Sequence, residues 1–397
     1  MVELAHFQNF AKLKDTSVEF NDITVLAGKP GTGKSYVMKY FYAIKEFQYQ
    51  DSIGYPDDKR EASFEQLLEK LLINASEELS SGKHKDIEKI LEEQRPKGYI
   101  DSKIYDNVVK GIKELHLNSP TKFKNNADLE KKKFITNYLN NLVKSIFTNH
   151  GQISDKYVVR YKNLHIKYDE EVYYLQSFKK DFIENIQEVI FVETPLILEF
   201  HKHIDRRKAK TPYHIESLMN ILDEDYSFTN EEQDELIKTF SKKVNSIIGG
   251  DIQNRNGSFV YSRNNDKDYN IFNTSSGIKS IGLLQYLVTN KALKKGSVLF
   301  WEEPEVHLHP SWQLKMVDLF VELMNAGVKI VFSTHSPYMA DYLNAISKRN
   351  GYRERISFNV LDEKEGVVTN HILDDDNWDI LQKELMDTFE DILWQYL

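Results

Sequence analysis

Blocks of apolar residues separated by polar loops predict strands and helices in turn. Near the N-terminus, residues 18–20 and 23–27 are apolar and rich in β-branched side chains, which predicts strands that stop at a glycine-rich turn. Residues 35–47 then carry apolar and aromatic side chains at helical spacing. This stretch therefore predicts a strand, a glycine loop and a helix in that order.

The C-terminal part of the chain has a regular alternation of elements. After a predicted strand at residues 259–261, the pattern predicts helix 278–289, strand 297–301, helix 311–325 and strand 328–332. Strands and helices that alternate through short loops indicate a mostly parallel sheet in an α/β domain.

The middle of the chain differs in composition. Residues 51–150 are rich in Lys, Glu, Asn and Ser with intermittent Leu and Ile, which predicts helices solvated on one face. Residues 157–175 alternate apolar and polar positions and predict a β-hairpin, residues 189–192 predict a short strand, and residues 214–249 return to a helical pattern.

These elements predict an interrupted domain. Residues 1–50 and 250–397 form the predicted α/β head, with a mostly parallel sheet plus N-terminal antiparallel strands, and residues 51–249 form a largely helical insertion. A chain of 397 residues is long enough for one large domain with such an insertion. The sequence contains no internal repeat and no low-complexity tract.

Charge and cysteine content exclude several classes of protein. With 52 Lys and Arg against 61 Asp and Glu, the net charge of −9 argues against general electrostatic binding to nucleic acid, although a local basic patch stays open. The absence of cysteine excludes disulfides and thiolate metal sites. The N-terminus lacks the apolar core of a signal peptide, and no apolar run is long enough to cross a bilayer, so we expect a cytoplasmic protein.

The glycine-rich turn fits a phosphate-binding loop, in which four positions separate a glycine from Gly-Lys-Ser. Glycines let successive N–H groups face an anion, Lys34 neutralises the β and γ phosphates, and the Ser35 hydroxyl ligates Mg²⁺. The start of the next helix adds its dipole. The predicted ATP-binding residues of this loop are Gly28, Pro30, Gly31, Thr32, Gly33, Lys34, Ser35 and Tyr36.

An acidic pair ends the apolar strand at residues 298–301. Neighbouring side chains on a strand point to different sides, so Glu302 can reach a metal ion while Glu303 faces the γ phosphate as general base. His307 and His309 follow and raise zinc as an alternative, but they are two positions apart and precede a proline, which is poor spacing for zinc ligands.

Two further segments are candidates for phosphate contacts. His335 ends the strand after the acidic pair, at the sheet edge where open α/β sheets bind ligands, so we predict a γ-phosphate sensor; a histidine that only bonds backbone is the alternative. Ser275, Ser276 and Gly277 precede a predicted helix, and this segment can meet an anion or serve as a simple N-cap.

The order of these segments resembles the ABC-like ATPases of the OLD, RecF and SMC type. The resemblance rests on the phosphate loop, the long insertion, Ser-Ser-Gly before a helix, the acidic pair followed by Pro-Glu-Val-His-Leu-His-Pro, and Ser-Thr-His-Ser-Pro. It implies ATP and Mg²⁺ as cofactors, with Glu302 at a position usually held by aspartate. It also implies that residues 274–277 are the signature motif, which contacts the γ phosphate held by the opposite subunit of a homo-dimer or larger homo-oligomer. Residues 307–310 would bridge the two sites.

The sequence is most similar to stand-alone ATPase subunits of bacterial anti-phage defence systems of the Septu and PARIS types. That resemblance implies an ATP-hydrolysing sensor that controls a separate effector, such as a nuclease. The alternative is a DNA-binding repair ATPase like RecF and SMC, for which the basic cluster at residues 206–210 is the best sign, although such a run is more often a solvated surface. The acidic residues 373–379 are interpreted as a solvated turn rather than a nuclease site.

Overall fold

A computed structural model describes residues 2–52, 139, 142–147, 153–162, 164–169, 172–177, 186–204, 211–224, 231–255 and 257–386. The chain divides into two compact units, one formed by Met1–Tyr49 with Thr136–Leu397 and the other by Gln50–Ile135. Nearly all of the described residues belong to the first unit, so the helices predicted within residues 51–150 lie almost entirely outside them. None of the described helices is both long and apolar enough to span a membrane.

The strands are β1 (Glu3–Phe10), β2 (Leu13–Phe20), β3 (Ile23–Ala27), β4 (Lys156–Tyr161), β5 (Leu164–Asp169), β6 (Val172–Ser177), β7 (Val189–Val192), β8 (Gly250–Arg255), β9 (Ser258–Arg263), β10 (Asp268–Asn270), β11 (Val298–Trp301), β12 (Lys329–Thr334), β13 (Ile356–Lys364) and β14 (Val367–Ile372). The helices are α1 (Lys34–Ser52), α2 (Ile197–Phe200), α3 (Tyr213–Asp223), α4 (Glu231–Ile248), α5 (Ser276–Thr289), α6 (Pro310–Asn325) and α7 (Pro337–Asn350). Residues 379–386 form a further helical stretch.

Eleven strands form one sheet in the order β6-β5-β4-β1-β2-β14-β13-β3-β12-β11-β7. The five strands from β13 to β7 pair in parallel, and the strands beyond them add antiparallel pairs. This arrangement confirms the predicted α/β fold class with added antiparallel strands. Because β3, β11 and β12 are parallel neighbours in one half of the sheet, their carboxyl ends meet at the same edge.

The parallel strands are buried along their whole length. All described positions of β3, β7 and β11 are buried, as expected for strands that are covered by helices on both faces. On one face, Phe41 and Tyr42 of α1 place their rings 6.1 and 5.7 Å from that of Phe300 on β11. On the other, Ile23 and Val25 belong to a core shared with α5, α6 and α7.

A second, three-stranded sheet of β8, β9 and β10 packs on α5. The backbone N–H of Ile252 on β8 donates to Gln285 Oε1 on α5 over 3.1 Å. A Cβ atom on Gly282 would lie 2.2 Å from Ile252 Cγ1, so the strand approaches the helix at its glycine. These contacts tie the middle and second half of α5, the helix that follows residues 274–275, to the small sheet.

The observed strands differ from the predicted elements in two ways. The hairpin over residues 157–175 is part of a three-stranded meander, β4 to β6, that extends the large sheet beside β1. Strands β8, β10, β13 and β14 were not predicted. The strand predicted at residues 189–192 is present as β7, which pairs with β11 in the large sheet. The limits of the predicted head and insertion stay a prediction.

Candidate active site

The phosphate loop joins the buried strand β3 to α1 at the carboxyl edge of the sheet. Its three glycines have positive φ angles of 139° at Gly28, 80° at Gly31 and 93° at Gly33, a region that disfavours other residues. Gly28 is the most constrained, because a Cβ atom there would lie 2.3 Å from the carbonyl oxygen of Leu361 on β13. The sheet itself thus requires glycine at the first position of the loop.

Lys34 lies inside this loop. Its Nζ donates to the carbonyl oxygens of Gly28 and Lys29, each over 2.8 Å, and the side chain is buried. Burial lowers the pKa of Lys34 to about 8, while the nearby carboxylate of Glu303 acts most strongly in the opposite direction. The loop closes further because Thr32 Oγ1 donates to the Lys29 carbonyl oxygen over 2.9 Å.

The other predicted residues of the loop have different exposures. Pro30 and Gly31 are exposed at its crest, and Ser35 and Tyr36 are half-buried in the first turn of α1. The ring of Tyr36 stacks on Phe147 at 5.5 Å, so its side chain takes part in packing.

Glu302 follows β11 and lies against the start of α1. The Ser35 side chain hydrogen-bonds to Glu302, whose Oε1 atom is enclosed by protein and has no hydrogen-bond partner. Burial raises the pKa of Glu302 to about 7. An unpartnered carboxylate oxygen and a neighbouring hydroxyl oxygen are suitable ligands for a divalent cation such as Mg²⁺. Such an ion takes its other ligands from phosphate and water.

Glu303 and His335 meet beside the phosphate loop. Glu303 Oε1 lies 3.3 Å from His335 Nε2, and the imidazole also has a backbone hydrogen bond with Gly28. Burial, together with the charge of Lys34, lowers the pKa of His335. Glu303 has a φ angle of +44°, a strained conformation for a residue with a side chain. The predicted residues Lys34, Glu303 and His335 are therefore brought together.

The two histidines that suggested a zinc site, His307 and His309, have different structural roles. His309 caps α6, where its Nδ1 accepts from the backbone N–H of Ser311 over 3.3 Å. His307 has a φ angle of +66° in the turn before it. Within the described ranges, no group of three or more histidine, aspartate or glutamate side chains could hold a metal ion.

Residues 274–277 lie at the start of α5. Ser275 is the N-cap, whose Oγ accepts from the Ile278 N–H over 3.5 Å, so the capping interpretation holds for this serine. Ser276 is half-buried, and Gly277 is buried against the turn after the acidic pair: a Cβ atom on Gly277 would lie 3.3 Å from the carbonyl oxygen of His307. In the part of the chain that the structure describes, no hydrogen bond or ion pair joins residues 274–277 to their own phosphate loop.

Sequence reasoning missed a third carboxylate at this edge. Glu193 directly follows β7 and contacts His214 Nε2 at 2.7 Å and Lys39 Nζ at 3.3 Å. The hydrogen bond with His214 is the main reason that the pKa of Glu193 is lowered to about 2, and its negative charge helps to raise the pKa of Glu302. The available signal was an acidic residue directly after a buried strand.

A fourth carboxylate, Glu384, was also missed and contacts the phosphate loop from the C-terminal helical stretch. Its Oε1 accepts from the backbone N–H of Lys29 over 3.3 Å, and its charge acts on Lys34. The site is thus a buried lysine surrounded by carboxylates, a charge arrangement that suits a bound polyanion accompanied by a cation.

No curated protein matches the chain. Among solved structures, an SMC head bound to the C-terminal winged-helix domain of ScpA is 10% identical, covers 96% of this chain and 99% of its own, and has a TM-score of 0.45. The SMC head domain from Thermotoga maritima is 11% identical, covers 94% and 99%, and has a TM-score of 0.42. An Smc head with an extended coiled coil, bound to the C-terminal domain of ScpA derived from Pyrococcus furiosus, is 12% identical, covers 96% and 98%, and has a TM-score of 0.43.

The family assignment rests on a match to most of the chain rather than on these distant structures. The profile of the AAA ATPase domain matches residues 2–340, which include the phosphate loop, the acidic pair and His335. The chain is a P-loop ATPase and belongs to the AAA ATPase domain family.

Proposed function

We propose that the chain binds ATP with Mg²⁺ at the carboxyl edge of the sheet and hydrolyses it with Glu303 as general base. Gly28, Gly31, Gly33 and the first turn of α1 would surround the phosphates, and Lys34 would bridge the β and γ phosphates in place of its present bonds to loop carbonyls. The observation that carries this proposal is the contact of 3.3 Å between Glu303 and His335 beside buried Lys34.

Ser35 and Glu302 would hold the Mg²⁺ ion. The ion would offset the negative charge of the phosphates and polarise the transferred phosphoryl group. The unpartnered Oε1 of Glu302 supports this assignment, because a buried carboxylate oxygen without a donor is costly unless a ligand satisfies it.

Glu303 would take the proton of the attacking water, and His335 would contact the γ phosphate. Glu303 is partly exposed at the mouth of the site, with 44% of its side-chain surface accessible to solvent, so water can reach it. Glu303→Gln keeps the shape and hydrogen-bonding capacity of the side chain but removes its basicity. We predict unchanged ATP affinity and a kcat lowered by roughly 10²-fold or more.

Single-turnover hydrolysis of radiolabelled ATP, with ATP affinity measured in parallel, tests this assignment. Glu302→Gln is the matched control, since it should raise the Mg²⁺ requirement instead of leaving binding intact. A Glu303→Gln protein that hydrolyses ATP at the wild-type rate would show that Glu303 is not the base.

ATP binding would also bring two heads together. In this arrangement Ser275, Ser276 and Gly277 of one subunit would meet the γ phosphate held by the other, with the N-terminus of α5 directed at the anion. ATP would thereby shift the population from separated to closed heads, and hydrolysis would reverse the shift.

We further propose that this cycle controls a separate effector protein, such as a nuclease, in a bacterial anti-phage defence complex. The resemblance of the motifs to stand-alone defence ATPases supports this role, and the unit Gln50–Ile135, which begins in the last turn of α1, would supply a partner surface. Purification of the chain with the products of its flanking genes tests it: a stable complex is expected, and a chain that elutes alone under all nucleotide conditions would contradict it.

A DNA-repair role like that of RecF and SMC is the second candidate. The basic residues at 206–210, which lie outside the described residues, favour it. Duplex DNA should then stimulate ATP hydrolysis, with an effect that falls steeply as salt rises from about 50 to 200 mM. An ATPase rate that is independent of DNA at low salt would leave the effector role as the better account.

A further inference from the structure

Glu305 lies three positions after Glu302, in the turn that follows β11. Its side chain points into the protein toward His335, which follows β12. Its Oε1 accepts the backbone N–H of His335 over 2.6 Å, and its Oε2 is enclosed without a hydrogen-bond partner. Burial raises the pKa of Glu305. Through its Oε1 atom the side chain acts on His335 as a hydrogen-bond acceptor.

The bond from Glu305 is one of several hydrogen bonds between residues 303–313, which follow β11, and residues 333–336 at the end of β12. On one side, the Glu303 N–H donates to Ser333 Oγ over 3.2 Å; on the other, Ser336 Oγ donates to Gln313 Oε1 over 2.6 Å. Only the Glu305 bond reaches the backbone of His335 itself. The position of the His335 backbone, directly after β12, determines where the imidazole lies and therefore its distance from the Glu303 carboxylate.

We propose that Glu305 is a positioning residue for ATP hydrolysis, which fixes the backbone of His335 so that the imidazole faces Glu303 and the γ phosphate. This inference rests on the proposed function, since it assigns to Glu305 an effect exerted through His335. A displacement of about 1 Å in a catalytic group can lower a rate by about 10²-fold, so the loss of one such bond is measurable.

Three substitutions separate the acceptor from the charge. Glu305→Gln keeps a side-chain oxygen at the same reach without the charge, Glu305→Asp keeps the charge but withdraws the acceptor by about one bond length, ~1.5 Å, and Glu305→Met fills the space with no comparable acceptor. We expect kcat within about threefold of wild type for Gln, about tenfold lower for Asp, and lower still for Met. The KM for ATP should change by less than about threefold throughout, because Lys34 and its loop are untouched.

A double-mutant cycle with His335→Ala shows whether Glu305 acts through the histidine. We expect His335→Ala to lower kcat by about 10²-fold, and Glu305→Met to cause no further loss in the His335→Ala background. A purely structural role would lower the unfolding temperature and kcat together and would be additive, so thermal unfolding is measured for every variant.

The outcomes separate the inference from the proposed function. If His335→Ala keeps the wild-type kcat, the role of the histidine fails and the inference fails with it. If His335→Ala is slow while Glu305→Met hydrolyses ATP at the wild-type rate, or if the two losses multiply, only the role of Glu305 is overturned. If Glu305→Met does not fold, the other two variants decide, because Asp exceeding Gln would show that the charge itself matters.

Discussion

At the scale of single residues, Lys34 keeps an ammonium group inside the protein before any nucleotide is present. The carbonyl oxygens of Gly28 and Lys29 hold it, and burial lowers its pKa to about 8. A bound polyphosphate would favour the charged form and raise that pKa. Nucleotide binding and protonation of Lys34 are therefore linked. Because only the charged form of Lys34 binds a phosphate well, nucleotide affinity should fall as the pH rises through the pKa of Lys34.

We predict that nucleotide affinity falls about twofold between pH 7 and pH 8 and more steeply above pH 8, by at most tenfold per pH unit, because the free protein loses the Lys34 proton around its pKa of about 8. Titration with a fluorescent ADP without Mg²⁺ from pH 7 to 9.5 measures this directly. Lys29→Gln is the matched control: it removes an exposed lysine of the same loop and should keep the same decline. An affinity that is flat to pH 9.5 would contradict the linkage.

At the scale of elements, the middle of α5 packs closely against the small sheet at a glycine, Gly282. Ala is normally favoured over Gly within a helix by up to about 1 kcal/mol. At position 282, however, a Cβ atom would lie 2.2 Å from Ile252 Cγ1. Both residues are buried, so the small sheet would have to move away from the helix that begins with Ser276.

We predict that Gly282→Ala lowers the free energy of unfolding by about 1–3 kcal/mol, the usual cost of overpacking a core, in spite of the gain in helix propensity. Urea denaturation followed by circular dichroism gives the value. Adding Ile252→Ala removes the Cγ1 atom that clashes, so the second substitution should cost less in the Gly282→Ala background than in the wild type. Equal costs in both backgrounds would show that the contact is not limiting.

The elements that sequence patterns predicted well are those with a local cause. Strands β3, β11 and β12 were found within about two residues of their predicted limits because each contains a short apolar run, which ends at Gly28 after β3, at Glu302 after β11 and at Ser333 in β12. Strand β13 was missed because it buries polar residues. Asn359 lies within it, donating to the Glu19 carbonyl oxygen over 2.8 Å and accepting from the Glu19 N–H over 2.9 Å.

Site residues could be predicted from the sequence where they belong to one continuous motif. The phosphate loop and the acidic pair are continuous in sequence, so their spacing was sufficient. Glu193, His214 and Glu384 join the site from separate elements. The contacts of Glu193 with Lys39 and His214, and that of Glu384 with Lys29, depend on how the helices fold back on the sheet. No local pattern encodes such contacts.

At the scale of the whole molecule, the proposed hydrolysis cycle needs sites that are shared between two subunits. Within one chain, Gly277 lies against residues 307–308 rather than against the phosphate loop. Gly277 is unsuitable for testing this, because a side chain there would press on the His307 carbonyl of its own chain. Ser276 is half-buried in the first turn of α5. A carboxylate at this position would be stabilised by the helix dipole, so the fold should tolerate it, but it would repel a phosphate.

The most direct test mixes two inactive proteins, Lys34→Ala and Ser276→Asp, after tagged subunits have been shown to exchange. A mixed dimer has one site with both defects and one site with neither, so phosphate release should recover to about a quarter of the wild-type rate when half of the dimers are mixed. Lys34→Ala mixed with Glu303→Gln is the control, since both defects lie on the phosphate-loop side and no intact site can form. Recovery in the first mixture alone is the predicted result; no recovery despite proven exchange would contradict a shared site.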